Sequence, residues 1–165
     1  MKLLNKVLHI LAVAGSVAAI VFLFFSFADV TVAGKESSIA GSLMLFRSSL
    51  ADGTKMFVSS KLVFVMLLNL IALIYSGLSF SGKFKSTRFV AAGFALANAI
   101  YTLVYVLKTP AAFLDLRAVK GMTAVAYGSG LYLMFAGICV AAVAGIATLA
   151  VFGTSIFTFY FSGCF

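Results

Sequence analysis

Few residues in this chain could carry out chemistry, and their types and spacing are the first evidence about function. The chain of 165 residues has four acidic residues, one histidine and two cysteines. Cys139 and Cys164 are 25 residues apart and His9 is far from both, so no spacing resembles a metal site or a paired-thiol redox motif. No glycine-rich phosphate loop follows a strand pattern. We therefore expect no catalytic residues, no metal, no cofactor and no enzymatic activity.

Two asparagines are the polar residues that lie deepest in apolar segments. Asn69 and Asn98 flank the short link 82–88, at similar distances from it along the chain. Because the link makes the two flanking helices antiparallel neighbours, we expect the two amides to bond to each other, with Tyr101 adding to this intramembrane polar seam. Such a bond contributes about 0.6–2 kcal/mol in a bilayer. The seam is interpreted as a structural clasp, and the alternative is a set of ligands for a substrate or ion.

The composition identifies the elements that must position these residues. Apolar residues make up 64% of the chain and charged residues 10%, and the mean hydropathy is +1.19. A soluble domain carries about 25% charged residues, and a bilayer is crossed by about 20 apolar residues in a helix. The sequence therefore predicts an all-α integral membrane protein, a single four-helix transmembrane domain over residues 1–165. The spans are expected at about 8–28, 62–80, 89–107 and 127–151.

The first span could be either a retained anchor or a cleaved signal peptide. Lys2 and Lys6 precede it, and Ser26-Phe27-Ala28 resembles a cleavage site. Its apolar run of about 18 residues exceeds the roughly 7–15 of a signal peptide, so a retained anchor is expected. His9, at the edge of this span, is expected to contact solvated lipid headgroups.

The distribution of basic residues predicts the orientation. The N-terminal flank and the 82–88 link carry lysine and arginine without any acid, whereas segments 29–61 and 108–120 carry both signs. Basic residues near span ends favour the cytoplasmic side. We therefore expect a multi-pass protein with both the N- and C-termini in the cytoplasm. The net charge of +8 suits contact with membrane lipids, and nothing indicates nucleic acid as a partner.

Both longer segments are expected to carry short interfacial helices, at about 38–52 and 110–120. In the first, Ile39, Leu43, Phe46 and Leu50 fall on one helical face. In the second, the pair Thr109-Pro110 is typical of a helix start. Simple packing at the membrane surface is the expectation, and a lid or re-entrant gate is the alternative.

Small residues four apart predict where the spans pack, because lipid tails provide no hydrophobic drive for helices to associate. The expected packing residues are Gly15, Ala19, Ala91, Ala95, Gly137, Ala141 and Gly145. The last three form a stripe on the fourth span. This stripe could make contacts within one bundle, or it could bind partner subunits or a second copy of the chain.

Two functions are compatible with this pattern. The expected one is a non-catalytic accessory or structural subunit of a larger membrane complex, whose partners are membrane lipids and other subunits or a homo-oligomer joined through the fourth span. The alternative is a protomer of an oligomeric pore or carrier for a small solute or ion. A coupled carrier normally has a charged group at membrane depth, and the predicted spans have none.

Overall fold

The computed structural model describes residues 2–32, 34–45, 59–80, 87–107 and 122–162. The chain order is α1 (Lys2–Val21), a 3-10 turn (Phe22–Phe24), β1 (Ser26–Val32), β2 (Lys35–Ala40), α2 (Gly41–Leu45), α3 (Ser60–Phe80), α4 (Thr87–Val106), β3 (Met122–Tyr127) and α5 (Ser129–Ser162). Four of these helices, α1, α3, α4 and α5, are long and apolar enough to cross a membrane. Between them they form one bundle.

The candidate spans lie at Leu3–Phe24, Ser60–Ser79, Thr87–Val106 and Ser129–Val151. The first ends earlier than the expected residue 28, because the chain turns into β1 at Ser26. α5 continues past its candidate span to Ser162 and is about 51 Å long at 1.5 Å per residue. It is therefore longer than the hydrocarbon thickness of a bilayer, about 30 Å.

A three-stranded antiparallel sheet, which the sequence did not predict, covers one end of the bundle. Its strand order is β2-β1-β3. The β1–β2 hairpin pairs Val32 with Lys35, and Gly34 in its turn has a φ of +80°, a conformation that glycine adopts without strain. β1 follows α1, and β3 leads directly into α5. The β1–β3 pairing therefore ties the two helices together at this end, called the sheet end below; the opposite end is called the far end.

The expected interfacial helix at 38–52 is wrong for its first three residues. Residues 38–40 are the end of β2, and helical structure covers only Gly41–Leu45. Ser37 and Ser38 pair with Val30 and Asp29 of β1, and Ile39 is buried beneath the sheet. Pairing with β1 therefore prevails over the helical spacing of the apolar residues. Residues 46–52, and the expected helix at 110–120, lie outside the described residues.

The two faces of the sheet differ in polarity. Val30 and Ile39 face the bundle and join one buried cluster with Leu62, Leu131 and Met134 of the helices. Asp29 and Glu36 are exposed. Because side chains alternate along a strand, the sheet closes the apolar core with one face and presents a polar surface with the other.

Candidate functional site

α1 and α5 approach each other closely where glycines face each other. A Cβ atom added to Gly15 would lie 2.7 Å from the Gly137 carbonyl oxygen and 2.8 Å from the Ala141 backbone nitrogen. A Cβ atom on Gly137 would lie 2.8 Å from the Gly15 carbonyl oxygen and 3.0 Å from the Ala19 nitrogen. The two backbones are therefore in direct contact, and only glycine fits at their crossing.

The rest of the small-residue set also packs inside the bundle. A Cβ atom on Gly145 would lie 3.2 Å from the Ala92 Cβ, so this part of α5 packs against α4. Ala95 forms a buried layer with one alanine each from α3 and α5, and Ala91 is buried as well. The stripe on the fourth span is thus covered by the chain's own helices, and any contact of α5 with another protein would have to use other residues.

Asn69 makes a different hydrogen bond from the one expected. Its side-chain nitrogen donates to the Ser16 carbonyl oxygen at 2.9 Å, which ties α3 to α1 rather than to α4. Asn98 is 1% exposed, and neither its amide nitrogen nor its amide oxygen has a hydrogen-bond partner. The expected bond between the two asparagines is therefore wrong, because Asn69 faces the backbone of α1.

Asn98 is part of a second polar pair, with Thr102 one turn further along α4. Both side chains are buried, and the Thr102 hydroxyl also has no hydrogen-bond partner. Both lie toward the sheet end of the alanine layer that includes Ala95. Buried polar atoms without partners are rare, since leaving one unsatisfied costs about 1–3 kcal/mol. This face of α4 is therefore a place where a small polar ligand or water would be stabilised.

The ring of Tyr101 belongs to an aromatic cluster at the sheet end of α4. Its ring centroid lies 4.6 Å from that of Tyr105 and 4.9 Å from that of Phe64. The Tyr127 hydroxyl donates to the Tyr105 carbonyl oxygen at 3.3 Å, which connects β3 to α4. Burial, with a smaller contribution from Tyr132, raises the pKa of Tyr127. The cluster thus fixes the sheet to the helices.

His9 is buried, and the expectation of a solvated headgroup contact is wrong. Its Nδ1 lies 3.3 Å from the Ser79 Oγ of α3, and its Nε2 has no hydrogen-bond partner. The sequence did contain a signal: His9 falls at helical spacing with Ala12, Ser16 and Ala19, which are all buried on the same face of α1. The far end of the bundle therefore contains a titratable group between helices.

Taken together, the described residues offer hydrogen-bonding and charged groups, and one hydroxyl, that of Ser79, lies beside an imidazole, that of His9. Among them, no three histidine, cysteine or acidic side chains come together in a way that could hold a metal. Cys139 is only half-buried on α5, and Asp29 accepts a hydrogen bond from the Ser26 hydroxyl at 2.9 Å on the sheet.

The fold and these contacts define a class: a bundle of four candidate membrane-spanning helices with a small sheet over one end. No known family model matches the chain, and no curated protein matches it. Function is therefore inferred from the geometry of the chain itself.

Proposed function

We propose that the chain is an integral membrane protein that spans the bilayer four times, with the sheet outside and both termini in the cytoplasm. All four long helices expose large apolar side chains, for example Ile10, Leu67, Ile100 and Val143. α1 begins and α3 ends at the far end, and in the sequence the N-terminal flank and the 82–88 link carry basic residues without any acid. Both features support this orientation, because lipid solvates the apolar surface and basic flanks favour the cytoplasmic side.

Within that membrane we propose a non-catalytic role, as an accessory or structural subunit of a larger complex. The observation that carries this proposal is the closure of the bundle around Gly15 and Gly137, whose backbones touch and leave no wide interior path between α1 and α5. Among the described residues, the outer face of the sheet carries exposed polar side chains. Paired positions on the three strands form two rows on this face, one of Asp29, Ser38 and Ala126 and the other of Thr31, Glu36 and Ala124.

This outer face is the surface that we propose for binding a partner subunit. It is concave, and the space over it measures about 470 Å³. Asp29 and Thr31 lie on the central strand of this face, and Ser38 and Ala126 lie beside Asp29 on the two flanking strands. The short side chains of this face favour recognition, because they lose little side-chain entropy when a partner covers them.

The test is native mass spectrometry of the full chain after extraction from its own membranes in mild detergent. We expect a hetero-complex, and the variant Ala126→Arg should weaken it by placing a long side chain on the sheet face. Val143→Leu, on the lipid-facing surface of α5, is the matched control and should leave the complex intact. A chain found alone at monomer mass would contradict the proposal, and so would a complex that withstands Ala126→Arg.

A second candidate function is an oligomeric pore or carrier protomer. The observation that favours it is the buried pair Asn98 and Thr102, whose three polar atoms without partners could solvate a small solute or ion. If such a path exists, Asn98→Leu and Thr102→Val should lower solute flux in proteoliposomes. Cys139→Ala, which touches neither side chain's polar atoms, should leave the flux unchanged. Equal flux in all of these variants would exclude this candidate.

A further inference from the structure

A small cavity lies at the far end of the bundle, where all four long helices meet. It measures about 10 Å³, and its polar lining consists of His9 from α1, Ser76 and Ser79 from α3, Arg88 from α4 and Thr148 from α5. A space of this size holds about one water-sized particle. It therefore has room for a single atom-sized ligand, but not for a phosphate or a carboxylate with several heavy atoms.

The hydrogen bonds around the cavity determine which groups can donate to such a ligand. The Ser79 hydroxyl donates to the Ser76 carbonyl oxygen at 2.8 Å, and the Thr148 hydroxyl donates to the Ala144 carbonyl oxygen at 2.8 Å. Since a hydroxyl has one hydrogen, the contact of 3.3 Å between Ser79 and His9 must have Nδ1–H as its donor. The buried Nε2 is then a bare acceptor in neutral His9 and a donor in protonated His9.

The charge at this end of the bundle is positive. Arg88 lies close enough to His9 to interact with it electrostatically. Of the side chains that the structure describes, Lys6, His9 and Arg88 lie at this end, whereas the acids Asp29 and Glu36 lie on the sheet at the other end. α4 begins at Thr87 and α3 ends at Phe80, so the positive end of one helix dipole and the negative end of the other lie at this level and offset each other, which leaves the charged side chains to set the sign. A cation would be repelled here, and an anion would be stabilised.

We propose that this cavity binds a single monatomic anion of the chloride class, held by the Arg88 guanidinium and by protonated His9. As the anion enters, His9 takes up one proton from the buffered bulk solvent onto Nε2, and this N–H donates to the anion. Proton and anion therefore bind together and add no net charge. Of the helices packed against His9, α4 contributes Arg88 as the charged group in the cavity, and α3 and α5 contribute only hydroxyl groups there. The site does not depend on the proposed subunit role.

The test uses the fact that His9 is the only histidine of the chain. Nitrogen-15-labelled histidine gives one pair of ring signals, which report the protonation of His9 directly. In the full chain in lipid nanodiscs, replacing gluconate by chloride at constant ionic strength should raise the apparent proton affinity of His9 about tenfold or more. By reciprocity, chloride affinity should rise by the same factor when the ring is protonated. Bromide should act like chloride, and identical spectra in gluconate and chloride would overturn the proposal.

Two variants that each remove one positive charge distinguish chloride binding in the cavity from general electrostatic screening by the salt. Arg88→Gln should abolish the chloride response, whereas Lys6→Gln removes an exposed charge from the same end and should retain it. A response lost equally in both variants would overturn the proposal. If Arg88→Gln does not fold, the comparison of chloride, bromide and gluconate in the natural chain remains decisive. A response to inorganic phosphate or to phosphatidylglycerol, but not to chloride, would also overturn it, because these ligands exceed the cavity.

Discussion

Gly15→Ala is predicted to destabilise the chain, because it adds a methyl group where α1 and α5 touch. Ordinary contact begins at about 3.4 Å, and the new Cβ would lie 2.7 Å from the Gly137 carbonyl oxygen, a shortfall of about 0.7 Å. The opposing atoms are backbone, so the helices must separate. A separation of about 0.5–1 Å forfeits a quarter to a half of the dispersion energy of each neighbouring contact. Overpacking of this kind costs about 1–3 kcal/mol.

The higher helix propensity of alanine partly offsets this destabilisation, and alanine substitutions at uncrowded glycines are the control. Alanine is favoured over glycine in a helix by about 1 kcal/mol, so the net loss expected for Gly15→Ala is up to about 2 kcal/mol. At Gly77 and Gly93 an added Cβ would meet nothing within 4 Å, so alanine there should be neutral or stabilising by up to about 1 kcal/mol. The assay is unfolding in mixed micelles followed by circular dichroism. A Gly15→Ala variant as stable as Gly93→Ala would refute the close contact.

Two further predictions use the same unfolding assay. Asn69→Leu should lower the free energy of unfolding by about 0.6–2 kcal/mol, because it removes the hydrogen bond to α1. Asn98→Leu should leave the free energy of unfolding unchanged or raise it, because the Asn98 amide has no hydrogen-bond partner. A larger loss for Asn98→Leu than for Asn69→Leu would contradict these hydrogen-bond assignments. Tyr127→Phe should cost about 0.5–1.5 kcal/mol at neutral pH through loss of the bond to Tyr105. Because the pKa of Tyr127 is raised above its ordinary value of 10.0, its contribution should be complete below pH 10.0 and be lost as the pH rises beyond it. A Tyr127→Phe penalty that persists at higher pH would contradict that assignment.

The four long helices could be predicted from sequence, but the sheet could not. Uncharged apolar runs of about 20 residues have one structural solution in lipid, which is why α3 and α4 fall close to their expected bounds. Met122–Tyr127 is a short apolar run beside a long one, and such a run cannot be assigned to strand or helix by periodicity alone. Its partner β1 is about 95 residues away in sequence, and pairing at that separation leaves no local pattern.

The sequence indicates which residues make polar contacts between the helices, but not which residues are their partners. Asn69 was recognised as a residue that bridges helices, and the antiparallel link suggested Asn98 as its partner. The contact at Gly15 instead brings α1 close to α5, and Asn69 bonds to the neighbouring Ser16 carbonyl oxygen. His9 was assigned to the surface because its position near the chain start outweighed its helical spacing with buried residues. Partner choice depends on how helices rotate against each other, and one sequence alone does not fix that rotation.

The central claim, four membrane crossings with the sheet outside, is tested most directly by labelling single cysteines in intact cells. In a chain carrying Cys139→Ala and Cys164→Ala, Ser38→Cys lies on the exposed face of the sheet and Lys6→Cys at the far end. A maleimide that cannot cross membranes should label Ser38→Cys in intact cells, and should label Lys6→Cys only after the membrane is permeabilised. Labelling of both positions in intact cells, or of Lys6→Cys alone, would contradict the proposed topology.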